Sequence, residues 1–236
     1  MRSGKNTELS ADQLKQAYSD VDVLLSKYDE LLGKLTAAAE NVNASRSGTT
    51  QSPVDSVLAV IKSYTAFLAV AKEYDAYSDK LIPLKDGLIK KLKDLQAKYQ
   101  AASPSTRESL GSMDAGLIDL INSVEHLNIA RDKSLDLIIK ISTETKSYLS
   151  PITTKLSSVT HQEGSASGKV LAMLNKLTVN AKPFLDQVDQ KVKSRVPSNY
   201  SSTSSALMKQ PSNPPAATSK EEKPKEKKSK SKKVPG

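Results

Sequence analysis

Apolar residues near the start of the chain recur at alternating steps of four and three, which is the spacing of a helix that buries one face. Ser10 and Gln13 have the spacing of a capping box, in which each side chain satisfies a free backbone N–H group of the first turn. The pattern predicts an α-helix that begins at residue 10 and packs on another helix through a heptad seam. The seam residues are Leu14, Tyr18, Val21, Leu25, Tyr28, Leu32 and Leu35.

Prolines divide the rest of the apolar pattern into segments. Pro53 suits the first turn of a second helix, because its missing N–H group needs no partner there. A proline inside a helix removes a hydrogen bond and clashes with the preceding turn. Pro83 therefore predicts a kink or break near Ile82, and Pro151 predicts a break in the following helical segment.

The last helical segment is expected to be short and strongly amphipathic. It lies in NAKPFLDQVDQKVKSRVPSN, residues 180–199, with Pro183 and Pro197 near its ends. Its apolar residues lie about one turn apart, and the opposite face is mostly charged. Such a segment packs on a partner helix or lies in a lipid interface, and we expect the second. The residues predicted to touch a lipid surface are Phe184, Leu185, Val188, Val192 and Val196.

These elements predict an all-α protein, a loose bundle of amphipathic helices broken by prolines. Residues 1–105 are expected to form a helical hairpin or coiled-coil-like region, and residues 106–197 an amphipathic helical region. Residues 198–236 are rich in Ser and Pro and then in Lys. We predict that this tail is disordered, because it cannot bury enough apolar area to offset the entropy of ordering.

The composition limits the core and its chemistry. The 236 residues include two Phe and no Trp, so a large close-packed core is not expected, and they include no Cys, which excludes disulfides and thiolate metal sites. The most apolar window, residues 56–71, contains Lys62 and is shorter than the roughly 20 residues of a membrane-spanning helix. The first residues lack the apolar core of a secretory signal. We therefore expect a soluble or peripheral protein.

The net charge of +9 is concentrated in the tail, since residues 219–236 hold eight Lys and three Glu. Such a tail keeps the chain soluble, binds nucleic acid by counterion release, or is attracted to an anionic lipid surface. The run has no aromatic residue to stack on bases, so no specific nucleic acid is expected. The residues predicted to contact an anionic surface are Lys225, Lys227, Lys228, Lys230, Lys232 and Lys233.

Catalytic and ligand-binding patterns are missing from the sequence. His126 and His161 have no carboxylate or second histidine at ligand spacing, and no glycine-rich loop follows a strand. Carboxylates fall at the spacing of solvent-facing helix positions. We predict a protein that is not an enzyme and that has no catalytic residues, cofactor or metal.

Three stretches carry a family resemblance: VEHLNIARDKSLDLI at 124–138, SYLSPITTKLSSV at 147–159 and FLDQVDQKVKSRVP at 184–197. Their order resembles the rubber elongation factor / small rubber particle protein family, whose wider plant membership coats lipid droplets. The resemblance covers residue 124 to about residue 210, and residues 1–105 have no counterpart in it. Pro-broken amphipathic helices are also similar in style to the animal perilipins. The residues that match the family's last motif are Val188, Asp189, Lys191, Val192, Val196 and Pro197.

The resemblance implies a cytoplasmic peripheral coat protein that stabilises lipid droplets or similar hydrophobic particles. The expected partner is a lipid-droplet or phospholipid-monolayer surface, and the heptad seam is expected to hold a second copy or a partner helix. One alternative is a coiled-coil scaffold or cytoskeletal adaptor whose basic tail binds an acidic partner. Another is a chromatin-associated helical protein, with KPKEKKSKSKK as a nuclear import signal.

Overall fold

The computed structural model describes residues 10–48, 53–158 and 165–195, which are helical apart from short connections and contain no strand. The all-α prediction is therefore confirmed for this part of the chain, whereas the predictions for Val196 and for the tail lie outside it. The helices are α1 (Ala11–Ser47), α2 (Pro53–Leu81), α3 (Lys85–Ala101), α4 (Pro104–Leu110), α5 (Met113–Ser157) and α6 (Ala166–Lys193), with a 3₁₀ turn at Ile82–Leu84.

Long helices form the bundle, and those that follow one another along the chain and pack side by side run antiparallel. In the α1–α2 hairpin the hydroxyls of Tyr28 and Tyr74 lie 2.6 Å apart, and Tyr77 donates a hydrogen bond to the Leu24 carbonyl. The 3₁₀ turn joins α2 to α3, so the two form one rod beside α1. Helix α5 packs along α1 and α3, and α6 packs mainly on α2 and α5. The bundle thus has three long helices throughout, and α6 is a fourth helix beside the α2 half only.

The first helix begins as predicted. The Ser10 hydroxyl accepts a hydrogen bond from the Gln13 backbone N–H at 3.3 Å, and the Gln13 side chain accepts one from the Ser10 N–H at 3.0 Å. This reciprocal pair satisfies two backbone donors that the first turn leaves free. The start of α1 is therefore fixed by local chemistry.

The three internal prolines have different effects. Pro83 lies in the 3₁₀ turn that separates α2 from α3, which confirms a break in the α-helix near Ile82. The predicted break at Pro151 is wrong, because α5 continues through it to Ser157. The prediction of a separate short helix after Pro183 is also wrong, because α6 runs through that residue. Buried Ala181 and Phe184 flank Pro183, so packing holds both adjacent turns in place against the lost hydrogen bond.

The heptad seam of α1 packs inside the chain. Five of its residues are buried, and Tyr18 and Leu32 are partly buried against the same core. They meet side chains from the rod and from α5, including Phe67 and Leu117, which are fully covered. Burial of these residues leaves little of the seam for a second copy or a partner helix. It also places the described parts of the predicted regions 1–105 and 106–197 in one compact unit.

One described helical stretch, Pro53–Ala101, is long and apolar enough to cross a membrane by length and composition alone. In its most apolar 18-residue window, 39% is buried inside the bundle. Phe67, Ala71 and Tyr74 on this rod are completely covered by neighbouring helices. The core helix of a soluble protein meets the same criteria, so the expectation of a soluble or peripheral protein stays a prediction.

Candidate surface helix and its charged cluster

The apolar stripe of α6 faces the bundle, and the expectation that it is exposed is wrong for its central residues. Val188 is completely buried and Phe184 is 8% exposed, while Leu185 and Val192 are partly buried against the same core. The stripe fits the groove between α2 and α5, so these residues reach a lipid surface only if α6 leaves that groove.

Two apolar clusters hold α6 in place. Near its start, Val170 and Leu174 pack with Leu149 of α5 and with a patch on α2 formed by Val57, Val60 and Ile61. Farther along, Ala181, Phe184 and Val188 join the main core. The Lys72 ammonium of α2 lies 5.8 Å from the centre of the Phe184 ring, within the range of a cation–π contact.

A charged cluster closes the end of α6. The Lys191 Nζ atom lies 2.6 Å from one carboxylate oxygen of Asp75 and 2.6 Å from one of Asp79, both on α2. The Lys191 side chain is 17% exposed and that of Asp75 only 4%. Little solvent screens the pair of Lys191 and Asp75, so it is stronger than a pair of exposed charges.

Two arginines complete the cluster. Arg131 of α5 contacts the second Asp79 oxygen at 2.5 Å. Arg195, just after α6, donates to Asp136 at 2.7 Å and to the Asp132 backbone carbonyl at 2.7 Å. Its Nε atom lies 3.2 Å from an Asp132 carboxylate oxygen, yet this atom has no hydrogen bond because the contact is poorly aligned. The contact between Arg195 Nε and Asp132 is therefore an ion pair without a hydrogen bond.

Among the carboxylates of the charged cluster, Asp75 relies most on Lys191 for charge compensation. Its Oδ1 atom is buried and has no hydrogen-bond partner in the described part of the chain, so the contact of Oδ2 with Lys191 is its main charge compensation. A buried charge that loses its partner is strongly destabilising. The position of α6 is therefore coupled to the charge balance inside the bundle.

A polar layer extends from this cluster to α1. The Tyr28 and Tyr74 rings lie 5.4 Å apart, and their hydroxyls share a buried hydrogen bond. Burial, together with the neighbouring Tyr74 hydroxyl, holds the pKa of Tyr28 far above its usual value. Burial also raises the pKa of Tyr74. Both tyrosines therefore stay neutral, and the fixed charge of the layer lies on Asp75, Asp79, Arg131, Lys191 and Arg195.

The sequence analysis did not predict this charged cluster, although polar residues interrupt the apolar patterns of α2 and α5 where the cluster forms. The apolar rhythm of α2 reaches Ala71 and its next positions are Asp75 and Ser78, both buried. The stripe of α5 is interrupted at Arg131 in the same way. Polar residues at seam positions often meet one another across a bundle and fix its register. The two interruptions together predict a polar layer, but neither identifies Lys191 as the residue that neutralises it.

No group of three or more His, Asp or Glu side chains among the described residues is arranged to hold a metal ion. His126 is exposed, with Nδ1 2.6 Å from the Asn122 carbonyl, and His161 lies outside the described residues.

Surface grooves of about 530 Å³ between α1 and α2 and about 480 Å³ beside Tyr18 contain no histidine. The tail lysines predicted to contact an anionic surface also lie outside the described residues.

No family model matches the chain, and neither a curated protein nor a solved structure matches it. The resemblance of the stretch from residue 124 to about residue 210 to the rubber elongation factor / small rubber particle protein family therefore stays a prediction. What the structure defines is a class: an all-α bundle with an amphipathic outer helix held by a buried charged cluster.

Proposed function

We propose that the protein is a non-enzymatic peripheral coat protein of lipid droplets or similar hydrophobic particles, with α6 as the helix that enters the surface. The observation that supports this most strongly is the position of α6. Helix α6 packs mainly on α2 and α5. It lies outside a frame formed by α1, the α2–α3 rod and α5, and this frame continues past the end of α6. Release of α6 leaves that frame with most of its own core.

The packing energy explains why α6 stays docked in water and moves at an oily surface. Burial of Val170, Leu174, Phe184 and Val188 is worth roughly 6–12 kcal/mol. In water that term keeps the helix in its groove. At an oil surface the same side chains are buried again, so most of the hydrophobic term is retained and the helix exchanges one apolar environment for another. The remaining barrier is the charged cluster around Lys191.

The family resemblance supports the same segment. Val188, Asp189, Lys191 and Val192, which match its last motif, all lie on the docked part of α6. In this proposal the motif has two purposes, since its valines supply the apolar face and Lys191 sets the strength of docking. The scaffold alternative is less favoured, because the α1 seam it needs is used inside the bundle.

A reversible crosslink between α6 and α5 tests the proposal. The chain has no cysteine, so Asp136→Cys with Arg195→Cys provides one thiol pair in place of the ion pair between these residues. A bifunctional, thiol-reactive reagent that contains a disulfide then links the end of α6 covalently to α5. We expect the tie to reduce flotation with triolein droplets coated in phosphatidylcholine at least about tenfold, and thiol reduction to restore it.

A matched control replaces the ion pair between Lys27 and Glu73, which joins α1 to α2 and leaves α6 free. The crosslinked Lys27→Cys, Glu73→Cys variant is expected to float as the untreated protein does. Equal flotation of the α6-tied and control proteins overturns the role of α6. Failure of the unmodified protein to float overturns the coat function itself.

A further inference from the structure

Charge is divided unevenly along the bundle. We define the cationic half as residues 33–48, 53–72, 137–158 and 165–185, which contain ten Lys or Arg and three Asp or Glu, a net charge of +7. The anionic half comprises residues 10–32, 73–136 and 186–195, with fourteen Lys or Arg and eighteen Asp or Glu, a net charge of −4. The boundary lies where Lys72 covers the Phe184 ring. The described bundle is therefore strongly polarised, although its total charge is small.

The cationic half contains two neighbouring helix segments without acidic residues. Residues 56–72 of α2 and 166–185 of α6 lie side by side through their apolar cluster, and neither has an Asp or Glu. Their lysines point outward and all are exposed. These lysines are Lys62, Lys72, Lys169, Lys176 and Lys182.

Apolar side chains are exposed among the lysines of α6. Met173 is 45% exposed and Val179 is 70% exposed. Of the aromatic residues in the same half, Tyr64, Phe67 and Phe184 are buried, and Tyr148 is half-buried against the apolar cluster between α2 and α6. Lysines around exposed aliphatic side chains are typical of a helix that lies on anionic lipid. Single-stranded nucleic acid is instead bound by accessible aromatic rings, so the chemistry of this face favours lipid.

The negative charge of the anionic half does not cancel the attraction of these lysines to a surface that touches them. At 1.5 Å per residue, the 45-residue helix α5 is roughly 70 Å long. Charges in physiological salt are screened over about 8 Å. A flat anionic surface that touches the outer side of α6 therefore meets the local excess of lysines, whatever the charge at the far end of the bundle.

We propose that the outer face of α6 in the cationic half, with Lys169, Met173, Lys176, Val179 and Lys182, is a docking surface for anionic phospholipid headgroups. The folded bundle approaches the particle with this face first and with its anionic half toward water. This inference rests on the proposed coat function and adds the lipid class and the orientation. It also places α6 at the surface before the helix leaves its groove.

Charge-neutral variants of the full chain test the docking surface. The first variant carries Lys169→Gln, Lys176→Gln and Lys182→Gln. The matched control carries Lys90→Gln, Lys91→Gln and Lys98→Gln, which removes the same charge from exposed positions of α3 in the anionic half. All proteins keep their basic tail, and glutamine preserves helix propensity. Binding is measured by sedimentation with vesicles of phosphatidylcholine containing phosphatidylserine, in physiological salt.

We expect the α6 variant to lose at least about tenfold in partitioning to the anionic vesicles, since each of the three lysines near such a surface contributes to the attraction. The α3 control is expected to change less than twofold. Equal losses in the two variants overturn the docking surface. A duplex DNA bound as tightly as the vesicles, with the same dependence on the α6 lysines, overturns its assignment to lipid. Flotation with phosphatidylcholine-coated triolein droplets reports the coat function separately, so either proposal can fail alone.

Discussion

Replacement of Lys191 by methionine is expected to lower the free energy of unfolding by about 3–5 kcal/mol. The methionine keeps most of the apolar stem but removes the charge that contacts Asp75 and Asp79. Asp79 retains Arg131, whereas Asp75 loses its compensating cation while it stays 4% exposed. Urea denaturation at pH 7, followed by far-UV circular dichroism, measures the change.

Lys193→Met is the matched control, because Lys193 is two residues away on α6 and its side chain is 74% exposed. Its ion pair with Asp189 joins neighbouring turns of one helix, and such exposed pairs contribute little. We expect the stability of this variant to stay within about 0.5 kcal/mol of the original. If Lys191→Met has an equally small effect, the cluster does not hold α6.

Val188→Asp is expected to destabilise the docked helix by about 4–6 kcal/mol. The substitution removes a completely buried valine, worth about 1.5–3 kcal/mol, and places a carboxylate in the core at a further cost of several kcal/mol. The frame of three long helices keeps its other contacts, so the loss is expected first as increased hydrogen exchange of α6. The same urea titration gives the change in free energy.

Val179→Asp provides the comparison on the same helix. Val179 is 70% exposed, so the carboxylate stays in water and stability is expected to change by less than about 0.5 kcal/mol. The contrast between two identical substitutions nine residues apart reports which face of α6 is covered. Similar effects for both variants contradict the packing of α6 described above.

The sequence analysis correctly predicted the features that depend on residues close together in the chain. The capping pair at Ser10 and the apolar seam of α1 need only near neighbours along the chain, and both are present. Pro83 also acts locally, and none of the three residues of its 3₁₀ turn is buried. The effects of Pro151 and Pro183 were mispredicted since tertiary contacts on both sides keep those helices continuous.

The candidate site depends on contacts between distant parts of the chain, so the sequence predicted it only in part. The stripe around Val188 was recognised as amphipathic, but the same pattern fits a lipid surface and a groove between two helices. The groove is formed by α2 and α5, and the partner of Lys191 at Asp75 is 116 residues away. Spacing along one helix contains no information about such a partner.

A distance measurement between α6 and the frame tests the central claim most directly. Spin labels at Ala37→Cys on α1 and Asn180→Cys on α6 occupy exposed, uncharged positions, and the chain has no other cysteine. A second pair at Ala37→Cys and Ala69→Cys reports on the α1–α2 frame. In buffer both pairs should give one narrow distance by pulsed dipolar spectroscopy. On phosphatidylcholine-coated triolein droplets the 37–180 distance should lengthen and broaden while the 37–69 distance stays constant. Droplet-bound protein with an unchanged 37–180 distance would contradict the account, because α6 would then have stayed in its groove with its apolar stripe covered by the frame.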